Sequence, residues 1–204
     1  VSAGEFVPFA EQSGQIIPLG RIVIRTLACE MPTWLVGASA DFFVSVNLSV
    51  KELADVPLVD ELLGGGLSPH LDRLIVEVTE SLELQESSEA ERNLERLRAE
   101  GVRIAIDDFG AGFSNFTRLE HLRPSLIKID RSLVRRAGSE KEGGVAFLTA
   151  ATSVAASLKC DVVAEGVETQ AEAEVVQLLG IAYVQGFRYG KPGPIEEFRP
   201  EVVR

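Results

Sequence analysis

The sequence predicts an α/β protein built on a parallel sheet buried on both faces, and three observations carry that expectation. Short runs rich in Val, Ile and Phe recur at 42–48, 74–79, 102–107, 126–130, 162–165 and 183–186. Longer amphipathic stretches lie between them, at 89–100, 144–158 and 169–179. The short runs are mostly apolar rather than alternating, as expected of strands covered on both sides. Strand and helix in alternation give a parallel sheet, because each crossover must return the chain to the same end.

Two architectures satisfy this pattern: an open doubly wound sheet and a closed (β/α)8 barrel. Six strands are visible, whereas a closed barrel needs eight. The chain opens on two helix candidates, 3–12 and 19–31, with no strand before them. The simplest account places one or two strands ahead of the first residue. No repeat, low-complexity tract or linker interrupts the 204 residues, which are read as a single domain.

Composition narrows the function classes. Hydrophobic residues make up 46% of the chain and charged residues 25%, enough for one substantial core. Aromatics are only 6%, so aliphatic side chains must fill it. The net charge of −11 predicts no DNA partner and no direct membrane contact, since neither polyanion is held by such a surface. An anionic substrate would need bound cations to invert the local field. No basic-then-apolar leader opens the chain, and 144–158 is too short and too rich in Ser, Thr and Ala to span a bilayer. A cytoplasmic domain is expected, in a parent that is free or membrane-attached. Cys29 and Cys160 are far apart and in apolar settings; both are read as reduced, buried thiols. His70 and His121 are isolated near Pro-containing segments and carry no expected chemistry.

Polar residues gather at one end of nearly every strand. In chain order the strands deliver Asn47, then Glu77 with Glu80 just beyond, then Asp107 and Asp108, then Lys128, Glu165 and Gln185. In a parallel barrel the C-terminal strand ends open on one face, where active sites are built. The set holds carboxylates, amides and one lysine, with no His, Cys or Ser nucleophile. Oxygen donors of this kind suit hard divalent cations. Adjacent aspartates normally splay to opposite faces of a strand. At a strand end before Gly110-Ala111-Gly112, both can reach a metal pair of the type that clamps in-line phosphoryl hydrolysis.

Each residue alone has a plainer reading. Asn47 could be a turn amide, Lys128 and Asp130 an ordinary ion pair, and Asp107-Asp108 turn chemistry. Gly110-Ala111-Gly112 could suggest a dinucleotide loop, but it lacks the third glycine and follows two aspartates. The conjunction along successive strands favours the metal site.

At these residues the chain resembles the EAL-domain family of cyclic di-GMP phosphodiesterases. Asp107-Asp108-Phe109-Gly110-Ala111-Gly112 resembles its D-D-F-G-x-G motif, and Leu126 to Arg131 its L-K-I-D-R segment. Ala164 to Thr169 resembles A-E-G-V-E-T. Asn47-Leu48-Ser49, Glu77 to Glu80 and Gln185-Gly186-Phe187 resemble N-x-S, E-x-T-E and Q-G-[YF]. The resemblance implies a modified TIM barrel and hydrolysis of cyclic di-GMP to linear pGpG with two Mg²⁺ or Mn²⁺ ions. It implies that Asn47, Glu77 and Asp107 hold the first ion, and Asp107, Asp108 and Glu165 the second. A hydroxide between them would attack phosphorus in line with the leaving 3′ oxygen. Lys128 would orient that water and Gln185 would support the water network. Glu80 and Glu168 would be supporting acids, Glu80 beside the 108–115 loop. A homodimer is implied, and the parent is expected to carry sensory or diguanylate-cyclase-like domains. Arg188 is expected near a phosphate or guanine.

One departure stands out. The family's Glu-Ala-Leu motif, whose glutamate is a ligand of the first metal, occurs nowhere in the sequence. Its expected place is just before Val1, so the domain is read as N-terminally incomplete. The alternatives are a catalytically inactive cyclic di-GMP receptor and an interaction scaffold. Retention of Asp107, Asp108, Lys128, Glu165 and Gln185 together favours an active enzyme.

Overall fold

A computed structural model describes residues 3–79, 88–111, 116–139 and 143–195. The chain divides into two compact units, Val1–Arg103 and Ile104–Arg204.

The first unit opens with helices α1 (Ala3–Ser13) and α2 (Ile16–Trp34). The apolar stripe of α2, Ile16, Gly20, Ile24, Leu27 and Met31, recurs at helical spacing and is buried. Cys29 falls on the opposite face of that helix and is exposed, which corrects its expected burial. Strand β1 (Val44–Asn47) follows, then the short helices α3 (Val50–Ala54) and α4 (Val56–Leu63). Both helices start on side-chain caps. Ser49 and Glu52 form a reciprocal capping box, and the Asp55 carboxylate accepts from the Leu58 N–H. A 3₁₀ segment, Gly65–Arg73, leads into β2 (Leu74–Thr79), and α5 (Glu89–Ala99) is capped by Ser88. Strands β1 and β2 pair in parallel, with Asn47 opposite Glu77. The helices α3 and α4 pack on α5. There Leu53, Leu58, Leu62, Leu94 and Leu97 are almost fully buried. The buried Asn93 amide donates to the Leu53 carbonyl at 2.8 Å, so this polar group carries no desolvation debt.

The second unit is strand-led. Its elements are β3 (Arg103–Phe109), whose first residue lies at the unit boundary, α6 (Phe116–Leu122), β4 (Leu126–Ile129) and α7 (Arg131–Gly138). Then come α8 (Gly144–Leu158), β5 (Asp161–Ala164), α9 (Gln170–Leu178) and β6 (Tyr183–Val184). β3 to β6 pair in sequence order and in parallel. All four residues of β4 are buried, as expected of a strand covered on both faces. Helix α7 packs against both α8 and α9, with Val134 and Ala137 on its inner face.

The expected strands are all present, some shorter than read: β1 begins at Val44, and β6 spans only Tyr183–Val184. β3 is longer, running through both aspartates to Phe109. Among the described residues, no helix is long and apolar enough to cross a membrane.

Candidate metal centre

Four of the expected site residues meet in the second unit. The pairing of β3 with β4 advances three residues on β3, from Ile106 to Phe109, against two on β4, from Ile127 to Ile129. The extra residue is a bulge at Asp107-Asp108, opposite Lys128. Asp108 takes φ of +56°, a left-handed conformation that aspartate tolerates better than most side chains. This geometry replaces the expected strand-end turn. It breaks the alternation that would send two neighbouring carboxylates to opposite faces.

A carboxylate oxygen from each of Asp107, Asp108 and Glu165 lies within 4.8 Å of the others. The Lys128 ammonium sits against them, 2.9 Å from Asp107 Oδ1 and 2.7 Å from Glu165 Oε1. The three side chains of those bridges are 8%, 16% and 17% exposed, so these are largely desolvated charges. The Asp130 carboxylate accepts from the Ser132 N–H and caps α7. Partial burial holds the Asp108 carboxyl above its ordinary range. The Asp107 and Asp130 charges add to that, against opposing pulls from Lys128 and Arg131. A group that resists ionising beside two other carboxylates marks a site short of positive charge. The donor set is oxygen only, clustered and negatively charged, which fits a hard divalent cation.

Glu165 is carried by the turn after β5, where its N–H donates to the Ile129 carbonyl at 3.1 Å. Gln185 follows β6. Its N–H reaches the Ala164 carbonyl at 2.9 Å, and its carbonyl accepts from the Val167 N–H at 3.1 Å. The turn bearing Glu165 is thereby laced to the one bearing Gln185. A Cβ on Gly186 would fall 2.2 Å from the Val167 carbonyl oxygen, so this close approach requires glycine.

Asn47 and Glu77 belong to the first unit, at paired positions near the ends of β1 and β2. Glu77 is buried and Asn47 exposed. The Leu48 N–H donates to the Glu77 carbonyl at 3.0 Å. Glu80 and Gly112 to Asn115 lie outside the described residues. Glu168 is exposed; its N–H donates to the Glu172 carboxylate, part of the capping box that starts α9. Arg188 donates to the Gln170 side chain. Two residues of the Leu126 to Arg131 segment that were given no place at the site, the cap Asp130 and Arg131, have charges that reach Asp108. Their place directly after the β4 strand was the available signal.

The family model described as the EAL domain matches residues 1–192. The bifunctional diguanylate cyclase/cyclic di-GMP phosphodiesterase MucR of Pseudomonas aeruginosa is 37% identical over 205 residues, which cover 100% of this chain and 30% of MucR. The chain thus spans under a third of that relative's length. The solved structure described as PaMucR phosphodiesterase in complex with c-di-GMP superposes with a TM-score of 0.86 at 37% identity, over 97% of this chain and 80% of that one. The Klebsiella pneumoniae BlrP1 calcium/cy-diGMP complex gives a TM-score of 0.67 at 32% identity, over 82% of this chain and 43% of that one. These likenesses decide between the two architectures in favour of the modified TIM barrel. This chain belongs to the EAL-domain family.

Proposed function

We propose that the chain hydrolyses cyclic di-GMP to linear 5′-pGpG with two divalent cations, Mg²⁺ or Mn²⁺. The observation that carries this reading is the buried Lys128 held between Asp107 and Glu165, with the Asp108 carboxylate in the same cluster. A domain that only bound nucleotide would have no chemical use for three converging carboxylates around a desolvated ammonium. MucR and two other relatives, PdeD and PdeG, carry the name cyclic di-GMP phosphodiesterase, the latter two as probable, which supports the substrate.

Asp107, Asp108 and Glu165 would hold cation in the second unit, and Asn47 and Glu77 are further oxygen donors from the first. When bound, the ions would supply an activated water and charge neutralisation at phosphorus. Lys128 fixes the Asp107 and Glu165 carboxylates and keeps a proton donor at Nζ beside them. Gln185 holds the edge of the site through its backbone bonds to the turn after β5. Glu80 and Glu168 are supporting acids, and Arg188, freed from Gln170, would meet the nucleotide's phosphate or base. A homodimer, attached sensory or cyclase-like domains and a cytoplasmic setting complete the proposal; the small share of MucR spanned by the chain supports the attached domains.

Asp107→Asn removes the carboxylate shared by both proposed ions and is expected to abolish pGpG formation. A near-normal rate in that variant, measured with Mg²⁺ or Mn²⁺, would end the two-metal assignment. The assay is run on this chain and on a fusion supplying a Glu-Ala-Leu strand ahead of Val1. Turnover in the fusion alone would assign the first-strand glutamate an essential role. Tight nucleotide binding without turnover in either would make the domain a receptor.

A further inference from the structure

A second polar concavity lies on the outer side of α7. Its volume is about 960 Å³, and one wall is Arg131, Ser132, Arg135, Arg136 and Ser139. At 100° per residue these five positions fall within an arc of about 140°, so a single helix face carries three guanidiniums and two hydroxyls. The opposite wall is Gly166, Glu168 and Glu172. Gly166 has φ of +65°, and a Cβ there would fall 2.4 Å from the Arg131 Cβ, so the glycine lets this wall close on α7.

The positive charge on this face is concentrated in three neighbouring guanidiniums. Elsewhere Arg21, Arg25, Arg92, Arg96 and Arg98 each pair with a carboxylate. Among the described residues, no ion pair joins the Arg131, Arg135 or Arg136 guanidinium to a carboxylate; Arg136 lies over the Phe147 ring at 4.5 Å. The Glu172 carboxylate is already engaged, accepting the Glu168 and Thr169 N–H groups at 2.8 Å each. Burial would raise its pKa, yet those bonds, the Thr169 hydroxyl and the Arg135 charge together lower it, so it stays ionised as a cap. The Ser139 hydroxyl already donates to the Arg136 carbonyl at 3.0 Å, so three cations and the Ser132 hydroxyl face a wall whose one uncommitted anion is Glu168.

We infer that this cleft binds a small ligand bearing a terminal phosphate. Guanidinium forks match phosphate oxygens two at a time, and the Ser132 hydroxyl supplies a further donor. The cleft is larger than a bare phosphate requires and lies in the size range of small-molecule sites. Free phosphate and a mononucleotide share the recognised group. The Glu168 carboxylate offers an acceptor to base N–H donors, which only the nucleotide carries. The site uses none of the Asp107, Asp108 and Glu165 carboxylates; it shares Glu168 with the proposed phosphodiesterase, while binding at Arg135 is read without turnover and so fails or holds separately from that reading.

The test is titration calorimetry of the intact chain in a chelating buffer, which keeps cations off the carboxylate cluster. The probes are inorganic phosphate, guanosine 5′-monophosphate and guanosine. Binding of both phosphate-bearing probes but not guanosine is expected, with at least about a tenfold loss of affinity in Arg135→Ala, one charge-assisted contact's worth. Glu168→Gln is expected to tighten inorganic phosphate by removing the facing negative charge. A nucleotide that binds more tightly than phosphate supports the site and assigns the nucleotide as its ligand; equal affinities support it and assign free phosphate. Arg135 is exposed, so its variant should melt as the parent does. Absence of binding by both anions, or affinities unchanged in Arg135→Ala, would overturn the inference.

Discussion

Replacing Lys128 by Met tests whether the lysine is the internal counter-charge of the carboxylate cluster. Met fills much the same volume and leaves Asp107, Asp108 and Glu165 within 4.8 Å of one another with the ammonium gone. At an effective dielectric near 20, two unit charges at that distance repel by about 3.5 kcal/mol. Partial protonation will relieve some of this. The net cost should match that of removing one partner from a buried ion pair, about 3–5 kcal/mol. For a chain of this length that is a fall in Tm of roughly 6–20 °C. The measurement is thermal unfolding of parent and variant in chelator at neutral pH, repeated with millimolar Mg²⁺ and at lower pH. The Asp108 carboxyl, held above its ordinary range by burial and the Asp107 and Asp130 charges, loses the opposing pull of Lys128 in the variant. The variant's penalty is therefore full at neutral pH and fades as pH falls through the raised Asp108 value. Added cation should restore stability more in the variant than in the parent. Equal melting of the two proteins in chelator would refute the counter-charge role, whatever happens to catalysis.

Glu52 provides a pH test remote from that cluster. It is 4% exposed, and burial raises its pKa, helped by the Glu11 charge and opposed by the Ser49 hydroxyl and N–H. Folding stability contributed by its protonated form is thus complete below the ordinary carboxylate range and lost as pH rises through the raised value. Glu52→Gln should remove that slope, so that chemical denaturation at pH 4 and pH 7 differs less in the variant than in the parent; an unchanged difference would contradict it. Gly186→Ala should cost about 1–3 kcal/mol, because the new methyl meets the Val167 carbonyl. It should also slow pGpG formation by displacing Gln185, and a variant with the parent's stability and rate would show that the approach is not constrained.

Much of the fold was legible because strands and helices announce themselves by period and by apolar content. The runs at 74–79 and 126–130 became β2 and β4 almost residue for residue, since a strand buried on both faces has little freedom in composition. Short elements were not read. α3, α4 and α7 span 5, 8 and 8 residues, too few turns for a helical period to emerge. Their caps were nevertheless written in the chain, as Ser49 with Glu52, Asp55 before Pro57, and Asp130. The convergence of Asp107, Asp108, Lys128 and Glu165 was legible from their places at strand ends. The means of convergence was not, because a bulge is a property of register between two strands and leaves no local composition mark. The exposure of Cys29 was missed for a similar reason: an apolar neighbourhood in sequence does not say which face of a helix a residue occupies.

The left-handed backbone at Asp108 makes that position two requirements in one residue. Substitution there will separate shape from charge. Glycine relaxes the backbone and deletes the carboxylate; asparagine keeps the turn preference and removes the charge; glutamate keeps the charge but lengthens the reach and resists the conformation. Drift at this site is therefore confined to a very small neighbourhood of side chains, since every escape from one demand violates the other. A lineage that gave up the chemistry would be freed first at Asp108, and glycine would be its easiest successor.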